Sequence, residues 1–378
     1  MVPQAREDLH AESNGGHEAN MYSGGAMRKQ MTAAILVSVL FLNETCAQPP
    51  GKENTMFQPL SYEEAGEKAD SLVGLMTLEE KLALVCGERG FFLHPLPRLG
   101  LPEVYMSDAT QGVHIRDKFR DVDLTGYRMR RSTAFPCPLC LAATWNPNLS
   151  RDYAEAVGEE CRAGGIGILL GPGLNEYRES QCGRNFEYFG EDPYLRSRMI
   201  ESYVRGVQST GTIATLKHFL ANNTEFFRRR SNSVVDERTL HEIYLPPFKA
   251  GIDAGAKAVM TSYNQLNGEW CGQSRAVIDG LLRKDLGFRW LVMTDWWSVY
   301  DGESLAKSGQ DLEMPEAVAL KNARELIGAG KIMITDIDRM ARSIVTTCLA
   351  MKLNERTKRN ADDRDFDRHE QVALRTAR

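Results

Sequence analysis

The feature that most constrains this sequence is a repeated alternation between short apolar runs and amphipathic helical segments. The apolar runs, rich in Val, Ile and Leu, are 104–107, 165–170, 213–218, 256–262 and 290–294. Continuous apolar runs of this length are typical of parallel strands that helices cover on both faces. The alternation extends over about 270 residues without a glycine-rich dinucleotide fingerprint, and a barrel of eight such units needs about 250. We therefore predict an α/β fold, a (β/α)8 TIM-like barrel, with an open doubly wound sheet as the alternative.

Capping residues predict where several helices begin and end. Thr77 and Glu80 form a capping-box pattern at the start of one helix. A second helix is predicted over residues 150–163, with Ser150 as its N-cap. A third is predicted over residues 236–244 and is expected to end at the two prolines that follow.

Polar and aromatic residues follow the predicted strands again and again. In chain order they are Asp108; Asn175, Glu176 and Arg178; Arg184; Lys217 and His218; Tyr263 and Asn264; and Asp295 with Trp296 and Trp297. In a (β/α)8 barrel the active site forms at the carboxyl ends of the strands. The pattern therefore predicts that these side chains meet at one mouth of the barrel and form a site there.

Asp295 is the sharpest catalytic candidate in this set. It ends an apolar run and is followed by two tryptophans, which predicts a carboxylate at a partly desolvated rim. Carboxylates accept hydroxyl protons and flat rings stack on sugars, so the composition favours a carbohydrate ligand. Taken alone, Asp295 could equally be a helix cap, and Lys217 with His218 could be a structural ion pair.

Seven motifs in order resemble the N-terminal barrel domain of glycoside hydrolase family 3, especially its β-glucosidase-like members. Each motif is weak alone, but the ordered set is specific and covers residues 62–348. In one-letter code the motifs are MSDATQGV from residue 106, GPGLN from 171, GRNFEYFGEDP from 183, KHF from 217, VDER from 235, VMTSYN from 259 and VMTDW from 292.

The resemblance implies both an activity and roles for individual residues. It implies hydrolysis of terminal non-reducing β-D-glucosyl residues with net retention, through a covalent intermediate on Asp295 as nucleophile. The residues that it places along the sugar-binding subsite are Asp108, Arg184, Lys217, His218, Arg228 and Tyr263, with Met260 and Trp296 as apolar walls. Of these, Arg228 matches least securely. We expect Arg184, Lys217 and His218 to donate to sugar hydroxyls and Tyr263 to orient Asp295.

A retaining hydrolase also needs a second carboxyl group, which acts as acid and then as base. In most of the family it comes from a C-terminal α/β-sandwich domain, which we expect to be missing here. Glu225 is the nearest candidate for a substitute, and we expect impaired activity. The alternatives are a β-xylosidase or another exo-glycosidase of the family, a catalytically silent sugar-binding barrel, and a Schiff-base lyase that uses Lys217.

The ends of the sequence predict processing and a second domain. Two basic residues at 28–29, an apolar run over 31–42 and small residues up to Ala47 are typical of a secretory signal peptide. We predict translation from Met27, cleavage after Ala47 and export to the periplasm or medium. The predicted organisation is 1–47 upstream segment and signal peptide, 48–61 lead-in, 62–350 barrel, and 351–378 linker and start of a truncated second domain.

The composition excludes several classes of partner. A net charge of −5 offers no basic footprint for nucleic acid, and the apolar run near the N-terminus is too short for a membrane span. Eight cysteines show no dense disulfide or metal-ligand spacing. We interpret Cys137 and Cys140 as buried structural thiols, and we predict no metal or cofactor. The expected partner is a β-glycoside, and the sequence leaves the oligomeric state open.

Overall fold

Seven short strands form the main sheet in the part of the chain that the computed structural model describes, residues 57–113, 116–117, 122–123, 129, 131–356 and 363–378. Their order in space follows their order in the chain. The strands are β1 (Gly87–Glu88), β2 (Phe92–Leu93), β3 (Val104–Ser107), β4 (Ile166–Leu169), β5 (Ile213–Phe219), β6 (Ala258–Thr261) and β7 (Leu291–Met293). The first three strands pair antiparallel, and β3 to β7 pair parallel.

The five parallel strands confirm the apolar runs predicted from the sequence. Every residue of β3 to β7 is buried. Burial on both faces explains why these runs show no alternation of polar and apolar residues. Side chains such as Met106 and Met260 pack on one face, and Tyr105 and Val259 pack on the other, in two separate core clusters.

The predicted eight-stranded barrel is only partly matched, because the described strands form an open sheet of seven. A short segment nevertheless contacts both edges of this sheet. Leu312 forms a bridge with Met293 at the end of β7, and Glu313 forms a bridge with Cys86 beside β1. The α/β character of the prediction is confirmed.

Helices flank the strands along the chain. They are α1 (Tyr62–Leu75), α2 (Leu78–Leu84), α3 (Pro138–Ala143), α4 (Pro147–Ala163), α5 (Pro193–Ser209), α6 (Glu237–Thr239), α7 (Leu245–Asp253), α8 (Gly302–Lys307), α9 (Ala323–Gly328), α10 (Ile334–Ala350) and α11 (Asp363–Ala377). Two segments, Leu240–Tyr244 and Ala276–Asp285, are π-helical. None of the described helices is long and apolar enough to cross a membrane. The predicted signal peptide lies outside the described residues.

One predicted helix boundary matches the structure, and two others differ from it. The capping box of Thr77 and Glu80 is confirmed. Helix α4 begins at Pro147 rather than Ser150, because Asn146 caps it. The prolines after Tyr244 do not end the helix, since they occupy the first turn of α7, where a missing N–H costs little.

The interpretation of Cys137 and Cys140 as buried thiols is wrong. Cys140 is exposed and Cys137 is half-buried, at the start of α3. The remaining described cysteines are all buried: Cys86, Cys161, Cys182, Cys271 and Cys348. The C-x-x-C spacing does not reveal burial, because burial depends on the position of α3. The first turn of this helix faces solvent at Cys140.

Helix α11 docks against α4 through a buried histidine. His369 is 1% exposed, and its ring nitrogens lie 2.9 Å from Glu159 Oε2 and 2.8 Å from Glu160 Oε1. Arg368 Nη2 lies 3.2 Å from the same ring. Burial lowers the pKa of His369, but the hydrogen bonds to Glu159 and Glu160 outweigh it, so the pKa is raised.

We expect this contact to weaken as the pH rises. Because the pKa of His369 is above 6.5 in the folded protein, its stabilising effect is complete below pH 6.5. That stabilisation is lost as the pH rises through the raised pKa. Chemical unfolding across this range should show a free energy of unfolding that falls with pH in the wild type and falls less in His369→Gln. The exposed His241→Gln variant is the control, and an identical pH slope in His369→Gln would contradict the assignment.

Candidate active site

One cavity collects the nine residues to which the family resemblance gives a catalytic or binding role. Its volume is about 260 Å³. Five other residues that were expected to meet there do not line it: Asn175, Glu176, Arg178, Asn264 and Trp297. It is lined by Phe91, Asp108, Arg184, Lys217, His218, Arg228, Met260, Tyr263, Asp295 and Trp296. Nine of these ten were predicted, and only Phe91 was not. The catalytic and binding roles of these residues stay predictions, whereas their common location is an observation.

The carboxyl ends of neighbouring strands bring the residues together. Asp108 follows β3, Lys217 and His218 lie near the end of β5, and Asp295 comes two residues after β7. Met260 is in β6. In a parallel arrangement these ends lie at one edge of the sheet, so residues distant in the chain meet across a few ångströms.

One oxygen of the Asp295 carboxyl group accepts a hydrogen bond, and the other does not. Asp295 is 7% exposed. Its Oδ1 accepts a hydrogen bond of 2.8 Å from the backbone N–H of Trp296. Its Oδ2 is buried and has no hydrogen-bond partner. The hydrogen bond at Oδ1 therefore fixes the orientation of the carboxyl group, whereas Oδ2 has no hydrogen bond.

Opposing effects act on the pKa of Asp295. Burial raises the pKa, whereas the charges of Arg184 and Lys217 lower it. Burial is the larger effect, so the pKa is above its ordinary value. The two cations thus oppose the effect of burial and favour the ionised form of the carboxyl group.

The buried ammonium group of Lys217 lies between two carboxylates. Its Nζ is 2.7 Å from Asp108 Oδ1 and 3.7 Å from Glu187 Oε2. Burial lowers the pKa of Lys217, but the negative charges of Asp108 and then Glu187 outweigh this effect and raise it. Lys217 is therefore a charged donor rather than a neutral amine.

Glu187 also fixes the second cation of the site. Its carboxylate accepts a hydrogen bond from Arg184 Nε, so a single acidic side chain joins Arg184 to Lys217. Glu187 is 8% exposed and comes from the short helical turn Asn185–Glu187. This arrangement holds both cations close to Asp295.

Hydrogen bonds define the tautomer of His218. The backbone of His218 fixes the amide of Asn175, because the N–H donates to Oδ1 at 3.0 Å and the carbonyl accepts from Nδ2 at 2.9 Å. The ring Nδ1, 3.1 Å from the same Oδ1, must then carry the proton. Burial first, and then Arg184 and Lys217, hold the pKa of His218 well below its ordinary value.

A neutral His218 with its proton on Nδ1 can only accept a hydrogen bond at Nε2. Arg184 Nη2 lies 3.0 Å from Nε2 and supplies that donor. Nε2 is 3.6 Å from Asp295 Oδ2, and it carries no proton to give to that oxygen. This differs from the expectation that His218 donates to a sugar hydroxyl.

Aromatic side chains form the apolar wall of the cavity. The rings of Phe91 and Trp296 lie 5.1 Å apart and are tilted at 42°. Trp296 Nε1 donates to the carbonyl of Gly90 at 2.9 Å. On another side, the Arg228 guanidinium lies 4.1 Å over the ring of Tyr263. Burial and then the Asp295 carboxylate raise the pKa of Tyr263, so the phenol keeps its proton.

Glu225, the candidate for a substitute acid, contacts Arg228 and lies near Arg184. Its Oε2 is 2.6 Å from Arg228 Nη1, and its Oε1 is 3.9 Å from Arg184 Nη1. Asn222 Nδ2 donates to Oε1 at 3.3 Å. Glu225 is not among the residues that line the cavity. Its observed contacts are those of a residue that positions two cations.

Sequence reasoning missed the role of three residues here. Phe91 precedes a two-residue strand and has no motif of its own. Glu187 lies within a recognised motif, and its spacing of three residues from Arg184 was a readable signal for an ion pair. Asn175 was noted after β4, but its contact with His218 depends on the packing of β4 against β5.

Comparison with known proteins identifies the family of this chain. Residues 119–347 match the family described as glycosyl hydrolase family 3 N terminal domain. The chain is 38% identical over 310 residues to thermostable beta-glucosidase B of Acetivibrio thermocellus, covering 81% of this chain and 40% of that protein. It is 41% identical over 240 residues to beta-glucosidase BoGH3A of Bacteroides ovatus, covering 63% and 32%.

Solved structures show the same likeness. Beta-glucosidase 3B from Thermotoga neapolitana, in complex with α-D-glucose, superposes with a TM-score of 0.75 at 33% identity. The match covers 82% of this chain and 46% of that one. This chain therefore spans less than half the length of these relatives.

We expect Asp295→Asn to stabilise the protein. The raised pKa of Asp295 means that its ionised form costs folding free energy. Removing the charge should increase the free energy of unfolding near neutral pH by on the order of 1 kcal/mol. The gain should shrink as the pH falls through the raised pKa, because the wild-type carboxyl group is then protonated too.

Asp279→Asn is the matched control, measured by urea unfolding at neutral and acidic pH. The hydrogen bond from Lys284 lowers the pKa of Asp279, so the same substitution there should give no gain in stability. A clear loss of stability in Asp295→Asn at neutral pH would contradict the burial effect.

Proposed function

This chain belongs to glycosyl hydrolase family 3, and from that membership and its cavity we propose that it hydrolyses terminal non-reducing β-D-glucosyl residues with net retention. The observation that carries the proposal is Asp295, a buried carboxyl group with one oxygen anchored and the other unpartnered in a cavity lined by sugar-binding residue types. The names of the similar β-glucosidases support the choice of a glucoside.

We further propose that the parallel sheet serves as a (β/α) barrel. The contacts of Leu312 and Glu313 with the two sheet edges support closure of the sheet through this segment. Closure of this kind would place the carboxyl ends of the strands around one mouth. The cavity at Asp295 would then be the mouth of the barrel.

In the proposed reaction, Asp295 Oδ2 attacks the anomeric carbon while the bond to the leaving-group oxygen breaks. The product of this step is a covalent glycosyl-enzyme, and water then attacks it at the same carbon to restore the carboxylate. The N–H of Trp296 holds Oδ1 throughout. Arg184 and Lys217 favour the ionised form that this attack requires.

The remaining residues of the cavity bind and orient the sugar. Asp108 is the acceptor for sugar hydroxyls, and its ion pair with Lys217 favours the charged form. Arg184 and Lys217 are donors to the sugar, whereas His218 Nε2 accepts from Arg184 and positions its guanidinium group. The rings of Trp296 and Phe91 provide an apolar wall on which a pyranose face can pack.

Protonation of the leaving group is the weak point of the proposed reaction. Among the residues that the structure describes, the carboxyl groups that line the cavity are those of Asp108 and Asp295. Asp108 is paired with an ammonium group, which makes it a poor acid, and Glu225 is bound to Arg228. We therefore propose that this chain alone is impaired in general acid catalysis.

The alternatives receive unequal support. A Schiff-base lyase needs a neutral amine, and the two carboxylates beside Lys217 disfavour that form. A silent sugar-binding barrel shares the whole cavity and differs only in turnover. A β-xylosidase would use the same nucleophile on a sugar that lacks the C6 hydroxymethyl group.

Export and domain organisation complete the proposal. The basic residues at 28–29 and the apolar run that follows support removal of residues 1–47 on export. We propose residues 62–350 as the catalytic unit. Under this proposal the substrate is an extracellular or periplasmic β-glycoside.

We expect an activated 2-deoxy-2-fluoro-β-D-glucoside to label Asp295 covalently. The fluorine slows both formation and hydrolysis of the intermediate, and the good leaving group offsets the effect for formation alone, so the adduct accumulates. Intact-protein and peptide mass spectrometry should show one fluoroglucosyl group on Asp295. Asp295→Asn should show none, and Asp279→Asn should be labelled like the wild type. Sugar binding without any adduct would favour the silent barrel, and labelling by the xyloside analogue alone would favour a β-xylosidase.

We expect turnover to depend steeply on the leaving group. An aryl glucoside with an acidic phenol needs little protonation, whereas cellobiose needs a general acid that contributes about 10²–10⁴-fold. The ratio of kcat/KM for 2,4-dinitrophenyl glucoside to that for cellobiose should exceed the same ratio for the Acetivibrio relative by a comparable factor. Equal ratios for the two proteins would contradict the proposed lack of an acid.

A further inference from the structure

Two cysteines outside the candidate active site lie side by side at the start of α3. Cys137 is the N-cap residue of this helix and Cys140 lies in its first turn. Their sulfur atoms are 3.3 Å apart. Cys140 is exposed to solvent and Cys137 is half-buried. We propose that Cys137 and Cys140 form a reversible intramolecular disulfide, a modification site that is independent of the proposed glycosidase function.

The geometry requires only a small adjustment. A disulfide bond is about 2.05 Å long, so rotation of the two side chains must bring the sulfurs together by little more than an ångström. The C-x-x-C spacing places both side chains on one side of the same helical turn, as in other dithiols that cycle between the two states. The helix itself does not have to unwind.

The other described cysteines differ from this pair. Each of them is buried, and desolvation raises the pKa of Cys348 to about 12. A buried thiol with a raised pKa has neither access to an oxidant nor an appreciable thiolate fraction. Among the residues that the structure describes, Cys140 is the one exposed thiol, so an oxidant in solution meets it first.

The proposed oxidation balances with a small disulfide such as oxidised glutathione. The Cys140 thiolate attacks one sulfur of glutathione disulfide, which forms a mixed disulfide and releases one glutathione thiolate. The Cys137 thiolate then attacks the Cys140 sulfur and releases the second. In total, two protein thiols are oxidised to one disulfide, one glutathione disulfide is reduced to two glutathione molecules, and the two thiol protons pass to the two glutathione thiolates.

The pair is a modification site rather than an oxidoreductase centre. Catalytic C-x-x-C motifs depend on a thiol with a lowered pKa. Here the proton shared with Cys137, followed by burial, raises the pKa of Cys140. The thiolate fraction near neutral pH is therefore small, and thiol–disulfide exchange at this pair should be slow. The pair should not catalyse such exchange in other proteins.

The disulfide would lie at the base of the loop that carries Asp108. The segment before Cys137 is bonded to this loop, because Phe135 N–H donates to the Gln111 carbonyl at 2.9 Å. The Tyr153 hydroxyl lies 2.7 Å from the carbonyls of both Thr110 and Pro136. The disulfide would therefore form two residues from the contact of Phe135, and neither cysteine is among the residues that line the cavity.

Glutathione titration of the folded, full-length chain tests the proposal. The protein is equilibrated at several ratios of oxidised to reduced glutathione, quenched with acid, alkylated under denaturing conditions and digested with trypsin. Peptide 132–151 contains both cysteines. We expect this peptide to lose both alkylated thiols together, to weigh two hydrogens less than its reduced form, and to recover both thiols on reduction.

Single variants separate the possible outcomes. Cys137→Ser should accumulate a glutathione adduct on Cys140, because the resolving thiol is gone. Cys140→Ser should leave Cys137 in its reduced form. Two free thiols in wild-type peptide 132–151 at every glutathione ratio would overturn the proposal. A persistent glutathione adduct on wild-type Cys140, or a dimer linked through Cys140, would overturn it as well.

Discussion

An ammonium group buried at the end of a β-strand needs negative charge close by, and Lys217 has Asp108 and Glu187 as its partners. Glu187 also binds Arg184, and Arg184 in turn supplies the hydrogen bond that His218 accepts. Together they form one network of alternating charge across the floor of the cavity. The position and ionisation of Asp295 depend on this network, because its two cations oppose the effect of burial on that carboxyl group.

The burial of Asp295 is costly to the fold. An ionised carboxylate with an unpartnered oxygen is poorly solvated, and in the proposed reaction that oxygen gains its partner only when substrate arrives. The tautomer of His218 adds to this effect, since its unprotonated Nε2 offers no hydrogen bond to Asp295 Oδ2. The site therefore lowers the free energy of unfolding, and in return it holds one oriented oxygen without a hydrogen bond, as functional sites commonly do.

The strands and most of the site could be predicted because they depend on local patterns and one rule of topology. Apolar runs identified β3 to β7, and the residues after them converge because parallel strands end at one edge. Contacts between different strands or helices could not be read in this way. The bridges of Leu312 and Glu313 to the two sheet edges depend on tertiary packing, as does the exposure of Cys140. The tautomer of His218 required the orientation of one amide, that of Asn175.

The contacts of Glu313 have a consequence for the order in which the protein folds. The N–H of Gly87 donates to the carbonyl of Glu313 at 2.8 Å, and the N–H of Glu313 donates to the carbonyl of Val85 at 2.9 Å. These partners lie near opposite ends of the described chain, so forming the contact closes a very long loop and carries a high entropic cost. We infer that the two sheet edges join late, after the helix–strand units have formed along the chain. The residues that line the cavity would then all be present in a partly folded chain before the cavity itself forms.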